Sequence, residues 1–197
     1  IWVKFAKAMA PITGPSSQFT AAQTPAEGPL KVLDIAASHG MYGIAVAKRN
    51  PQAQIYGLDW ETVLECAKEN AVKAGVGDRY HTIPGSAFEV DMGAEYDVVL
   101  IPNFLHHFDP PTNEVFLKRV HAALKPGGRA ITIEFVPDED RMGPLVAVRF
   151  ALTMLTTTER GDAYTFAELE KMFRNAGFGA NTLHRLDTQQ SAIISTK

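Results

Sequence analysis

The sequence predicts an α/β fold: a mostly parallel sheet with helices on both faces and an antiparallel pair at one edge. Three observations carry this. Short apolar runs at 32–36, 53–58 and 96–101 alternate with stretches of helical period, the pattern of strands and crossover helices. The first run leads through Ala36, Ala37, Ser38 and Gly40 straight into a helical pattern, so residues 30–49 read as strand, tight turn and helix. Two strand-like segments at the end, about 181–186 and 191–196, have no helix between them.

Taken in order, residues 1–9 place Trp2, Phe5 and Met9 at i, i+3 and i+7, one face of an amphipathic helix. This face either packs on the sheet or places Phe5 and Met9 in a substrate pocket. Pro11, Gly14 and Pro15 are read as breakers and residues 20–29 as a loop. The strand at 31–35 and its helix follow. A second strand, 53–58, ends on Asp59. Residues 60–74 are helical, with Val63, Leu64, Ala67 and Ala71 on one side and Gly75 closing the helix. A strand at 79–83 runs into Pro84-Gly85-Ser86, and residues 89–94 connect it to the apolar strand 96–101. A helix over 112–124 stops at Lys125-Pro126-Gly127-Gly128, and a strand follows at 129–135. A further helix is expected over about 143–155. Thr165 and Glu168 form a capping box for a helix over 165–175, which Gly177 ends. Residues 187–190 form the turn of the final hairpin. No repeat divides the chain, so residues 30–197 are expected to form one domain, preceded by a helix and connector over 1–29.

The 197 residues, 46% of them hydrophobic, suffice for a single core. Lys and Arg number 19 against 22 Asp and Glu, a formal charge of −3, which argues against a nucleic acid partner. A single cysteine, Cys66, allows no internal disulfide and points to a reducing, cytoplasmic setting. No apolar run approaches the roughly 18 residues of a membrane span, and no signal peptide is visible. The chain opens on Ile1 in what reads as mid-helix, so an N-terminal part is expected to precede it.

The candidate site lies at the carboxyl ends of the first strands, where open α/β sheets bind ligands. Asp34 is followed by Ala36-x-Ser38-x-Gly40, small residues that let the backbone bend sharply and approach a ligand. The overlapping Ser38-x-Gly40-x-x-Gly43 is a degraded dinucleotide fingerprint, and a plain tight turn is the alternative. Asp59, 25 residues after Asp34, can accept both hydroxyls of a ribose or cap the next helix. Gly85-Ser86-Ala87-Phe88 can hold an adenine edge or be a surface loop anchored by Phe88.

These pieces, with YDVVLIPNFLHHF and LKPGGRAITIEF in the same order, make residues 30–197 resemble the class I S-adenosylmethionine-dependent methyltransferases. The resemblance implies a Rossmann-like seven-stranded sheet and a site that binds S-adenosylmethionine. Asp34, Ala36, Ser38, Gly40, Asp59, Trp60, Gly85, Ser86, Ala87, Phe88 and Asn103 would hold it. Phe5-x-x-x-Met9, Leu105-His106 and Ile133-Glu134 narrow the match to small-molecule O-methyltransferases of the plant phenolic and bacterial polyketide type. That match implies His106 as general base, Glu134 holding it, and Phe5, Met9 and His107 near the substrate. It also implies an N-terminal helical dimerisation domain and a homodimer in the full-length protein. The chain departs from the family's pattern at Ala36 and Ser38, where glycines are usual, and at Ser86, usually acidic. A second acidic brace on the histidine would fall near Ala163, with Asp162 beside it.

For the histidines, the readings are His106 as base, His107 as base, or neither. His39, inside the turn, either faces the active site or, the preferred reading, is an exposed loop residue; His81, His121 and His184 are read as structural. Asp109, Asp138 and Asp140 read as solvated loop acids, and no metal is expected. Asn103 either contacts the ligands or shapes a turn. Residues 142–158 form either an apolar wall of the substrate cavity or ordinary core. The expected function is methyl transfer to a hydroxyl of a small, aromatic or polyketide-like molecule. The alternatives are C- or N-methylation, a cofactor-binding module without turnover, and, more remotely, a nicotinamide dehydrogenase.

Overall fold

The computed structural model describes residues 2–197, apart from the side chains of Trp2 and Phe5. The substrate contact expected of Phe5 lies outside the described residues.

Seven strands form one sheet: β1 (Leu30–Ile35), β2 (Ala53–Asp59), β3 (Tyr80–Pro84), β4 (Tyr96–Pro102), β5 (Leu124–Glu134), β6 (Asn181–Arg185) and β7 (Ser191–Thr196). Their order is β3-β2-β1-β4-β5-β7-β6. The first five run parallel, and β7 pairs antiparallel with both β5 and β6. The order therefore reverses between β1 and β4, which opens a crevice beyond their carboxyl ends.

Alternate side chains send each strand's apolar residues to two cores. Val32, Ile55, Val98, Leu100 and Ile131 face one layer, built by α2 (Gly14–Ala22), α3 (Met41–Arg49) and α4 (Glu61–Lys73). Leu33, Leu58, Val99 and Ile101 face the other, built by α5 (Pro110–Ala123) and α7 (Phe166–Asn175). Burial on both faces explains why these strands read as continuous apolar runs. The helix α1 (Trp2–Met9) seats Ala6 against Val63 and Cys66 of α4. The remaining helix, α6 (Leu145–Thr157), stacks Phe150 on Phe135, the residue after β5, and is described with the site.

Three local expectations need correction. Residues 20–22 belong to α2 rather than a loop, and Pro15 lies in its first turn, where its missing N–H costs nothing. The LKPGG segment does end α5 but is itself the start of β5, with the register against β4 shifting between Tyr96 and Val98. Asp109 is a helix cap: its side chain accepts from Thr112 N at 3.0 Å, and α5 begins at Pro110. The capping box of Thr165 and Glu168 stands as expected.

Candidate active site

The turn after β1 is held by its neighbours. Ala37 N donates to Leu58 O at 3.1 Å, and Gly40 N donates to Ala37 O at 2.7 Å. Closing this path takes positive φ at Ala36 (+50°), Ser38 (+54°) and Gly40 (+76°), a region that disfavours side chains at the first two. The two departures from glycine therefore leave the backbone in the shape a glycine turn would take.

Asp34 lies beneath this turn, wholly buried, and its Oδ2 accepts from Gly43 N of α3 at 3.0 Å. Burial pushes its pKa up to about 8, against the Gly43 bond, with the nearby Asp59 charge adding to the rise. At Gly40, a Cβ would come within 3.0 Å of Ala67 Cβ and of the Tyr80 hydroxyl. Asp34 and Gly40 line none of the crevice cavities; they shape the turn from below.

Asp59 joins two loops. Its Oδ2 accepts from Ser38 N at 2.8 Å and its Oδ1 from Trp60 N at 2.7 Å. Each oxygen keeps a second lone pair, and Asp59 faces the crevice. Burial raises its pKa against those two bonds. Trp60, rather than Asp59, is the N-cap position of α4, and it is 55% exposed at the rim.

Three cavities share walls along the crevice. One, about 250 Å³, is lined by Ala36, Ser38, Asp59, Trp60, Val63, Asn103, Phe104, His107 and Phe108. A second, about 290 Å³, extends from Asp59 and Trp60 over Gly85, Ser86, Ala87 and Phe88. A third, about 190 Å³, lies on the other side of Ala36, Ser38, Asn103 and His107, and reaches Met9, His106, Phe150 and Met154. Gly85 N donates to Asp59 O at 2.9 Å, tying the Gly85–Phe88 loop to β2. Ser86 Oγ accepts from Phe88 N at 3.3 Å, and the Phe88 ring meets Phe108 at 4.9 Å edge-on.

At the head of the third cavity, a 3-10 turn after β4 carries His106, and Glu134 ends β5. His106 Nδ1 lies 2.6 Å from Glu134 Oε2. The other oxygen, Oε1, accepts from Leu105 N at 2.9 Å, Phe104 N at 3.1 Å and His106 N at 3.4 Å. Glu134 is 3% exposed and His106 5%. A carboxylate on Nδ1 holds that nitrogen as the donor, so a neutral ring carries its lone pair on Nε2. Among the described residues Nε2 has no hydrogen-bond partner, and the Phe150 ring meets the imidazole edge-on at 4.8 Å. Ala163 is buried, and Asp162 pairs with Arg141 at 3.1 Å, so Glu134 alone braces His106.

The other histidines differ. His107 lines the first and third cavities, and burial, then the neighbouring His106, push its pKa down to about 4. His39 is buried against the third cavity rather than exposed; its Nδ1 accepts from Met41 N at 3.1 Å, and burial pushes it down to about 4. His81 pairs with Gln54, His121 packs on Phe178 and His184 on Phe19. Met9 lines the third cavity. The 142–158 segment divides: Phe150 and Met154 face this cavity, while Met142, Leu145, Leu152 and Leu155 are exposed. Tyr42, Phe104, Phe108 and Phe135 also line the site. Phe104 and Phe108 could have been found as the aromatic flanks of FLHHF; Tyr42 and Phe135 carry no such signal.

The model of the O-methyltransferase domain family matches residues 17–179. The chain belongs to this family. Similar proteins include the L-tyrosine C(3)-methyltransferase of Streptomyces lavendulae, 28% identical over 86% of this chain and 48% of that protein. The 3-hydroxy-5-methyl-1-naphthoate 3-O-methyltransferase of Streptomyces sahachiroi is 29% identical over 80% of this chain and 45% of that protein. A solved structure from Nostoc punctiforme, assigned as an O-methyltransferase, is 56% identical with a TM-score of 0.96, covering 100% of this chain and 60% of that one. This O-methyltransferase domain thus spans about half the length of the curated relatives it matches.

Proposed function

We propose that this chain is the catalytic domain of an S-adenosylmethionine-dependent methyltransferase acting on a hydroxyl of a small aromatic or polyketide-like molecule. The observation that carries this reading is the His106–Glu134 pair, placed in a cavity that shares Ala36, Ser38, Asn103 and His107 with the crevice before Asp59. The crevice residues fit the cofactor: Asp59 offers free lone pairs where a ribose would lie, and Phe88 and Phe108 give the second cavity aromatic surface. Asp59 and Trp60 would hold the ribose end, Gly85, Ser86, Ala87 and Phe88 the adenine, and Ala36, Ser38 and Asn103 the methionine part. When bound, S-adenosylmethionine supplies an electrophilic methyl group.

The acceptor belongs in the third cavity, beside Met9, Phe135, Phe150 and Met154. Its hydroxyl would donate to His106 Nε2. A phenol has a pKa near 10 and a histidine near 6.5, so complete proton transfer beforehand would cost about 4–5 kcal/mol. His106 therefore takes the proton as the methyl moves, and Glu134 stabilises the imidazolium that forms. Much of the remaining acceleration comes from holding the two reactants in line. His107, kept neutral by burial, adds no competing cation beside the donor.

A second reading is favoured by the similarity to a tyrosine C-methyltransferase. Removing a phenolic proton also makes the ortho carbon a nucleophile, so the same pair would serve. The proposal extends to an N-terminal connector over 1–29 and to a homodimer of the full-length protein, as the family implies. The test is transfer of isotopically labelled methyl from S-adenosylmethionine to a panel of phenols, polyketides and amines, with products located by NMR. His106→Ala should lower turnover about 10²–10⁴-fold and leave cofactor affinity near the parent value. Unchanged turnover would remove His106 from the mechanism.

A further inference from the structure

Because β7 runs antiparallel to β5, the turn between β6 and β7 returns to the carboxyl ends of the parallel strands; Ser191 pairs with Glu134. This brings Gln190 over the crevice. Its Nε2 donates to Asn103 Oδ1 at 2.5 Å, across 87 residues of sequence. The turn is itself fixed: Gln190 N donates to Thr188 Oγ1 at 3.2 Å, and Leu186 N donates to Gln190 O at 3.3 Å.

Asn103 stands with Ser38 and His107 at the boundary of the first and third cavities. Its backbone sits at φ +54°, with its N–H donating to Ile133 O at 2.8 Å, so the side chain is aimed by the main chain. What the main chain leaves undecided is which end of the amide faces the ligands, since Asn offers an acceptor on one side and two donors on the other. Tyr42 lines the third cavity together with Asn103, its hydroxyl 3.0 Å from Ser16 Oγ. Burial pushes that phenol up to about 12, so it remains protonated.

We propose that Gln190 is a positioning residue of this site: by occupying Asn103 Oδ1 it turns the Asn103 amide nitrogen toward the cavity, where it donates to an oxygen acceptor on a ligand. The inference rests on reading these cavities as the methyl-transfer site. A carboxylate on the cofactor and a carbonyl on the acceptor molecule share the required chemistry. Had the Asn103 oxygen faced inward, the same wall would repel both. The device links the antiparallel edge of the sheet, remote in sequence from the cofactor loops, to the point where the two ligands meet.

The test uses two substitutions that invert the same atom by different routes. Asn103→Asp keeps the Gln190 bond and removes the inward donor. Gln190→Glu leaves Asn103 intact but can only accept, so Asn103 must turn its nitrogen outward and its oxygen inward. Both should weaken the same parameter about 10-fold or more, as a donor exchanged for an acceptor implies. S-adenosylhomocysteine affinity, read by calorimetry, falls if the partner is the cofactor; the KM of the acceptor rises if it is the substrate. Gln190→Ala, which frees Asn103 to rotate, should shift that parameter about 2–5-fold. A defect in Asn103→Asp with Gln190→Glu at parent values would overturn the proposal, as would no change in either parameter. NMR of the Asn103 side-chain amide supplies a readout that needs no ligand and no charged variant. Its two protons should be distinct and slow to exchange in the parent and altered in Gln190→Ala; identical signals would overturn the proposal. If the parent neither binds S-adenosylhomocysteine nor turns over, the functional reading fails, and the amide signals still decide the role of Gln190.

Discussion

Glu134→Gln isolates what the buried carboxylate does for His106. Gln has the same shape, so its oxygen can keep accepting from the amides of Phe104, Leu105 and His106 at the distances of 3.1, 2.9 and 3.4 Å found for Glu134 Oε1. Its NH2 group then faces His106 Nδ1, where Glu134 Oε2 sits at 2.6 Å. Two donors cannot share that bond, so Nδ1 becomes the acceptor and the ring proton moves to Nε2. The nitrogen that faces the acceptor hydroxyl then carries a hydrogen instead of a lone pair. A charge-assisted bond worth about 1.5–3 kcal/mol is exchanged for a neutral one of about 1 kcal/mol, a stability loss of about 0.5–2 kcal/mol. The kinetic loss is larger. General-base assistance is worth about 10²–10⁴-fold, or about 2.7–5.4 kcal/mol in the barrier. Single-turnover transfer of labelled methyl to an unactivated phenol should slow by that factor, with S-adenosylhomocysteine affinity preserved. An acceptor phenol of pKa about 7 is largely ionised near neutral pH, and with it the loss should shrink to within about tenfold. Turnover within about threefold of the parent with the unactivated phenol, in a variant that melts as a folded protein, would refute the tautomer argument.

Two other expectations concern the turn. Asp34 has a pKa near 8 folded against 3.8 for a free side chain, so the folded state holds its proton while the unfolded state loses it. The resulting stability is complete below pH 4 and is lost as pH rises toward 8, at about 1.4 kcal/mol per unit. Denaturant unfolding at pH 5 and pH 7 should show the parent losing about 2–3 kcal/mol relative to Asp34→Asn; parallel curves would contradict the assignment. Ala36 and Ser38 carry side chains at positive φ, so Ala36→Gly with Ser38→Gly should relieve about 1–2 kcal/mol of strain at each, against about 0.5–1 kcal/mol of glycine entropy at each. The double variant should be more stable than the parent by roughly 1 kcal/mol, and unfolding earlier by more than that would show the turn is unstrained.

The fold was legible because its strands are apolar on both faces and its helices carry ordinary stop and start signals. Thr165 with Glu168 marks a helix without ambiguity, and the bare hairpin after Gly177 marks the antiparallel edge. The helix Gly14–Ala22 was missed because a glycine and a proline near its start look like a break, although a first-turn proline is compatible with a helix. At the site, the sequence names Asp34 and Gly40 alongside Asp59, yet only Asp59 reaches the crevice. A linear motif does not separate the residues that form a wall from those that hold it up. His39 looked exposed for the same reason: its loop folds back, so that the ring is buried and its carbonyl accepts from Asn70. Tyr42, Phe135 and Gln190 depend on contacts between distant elements, which spacing does not encode.

The most direct test of the account is the structure of this protein with S-adenosylhomocysteine bound. The account predicts the ribose hydroxyls on Asp59, the adenine over Gly85–Phe88, and the sulfur at the boundary formed by Ala36, Ser38, Asn103 and His107, opening toward His106. A ligand seated elsewhere on the sheet, or a sulfur turned away from the cavity that holds His106, would contradict it.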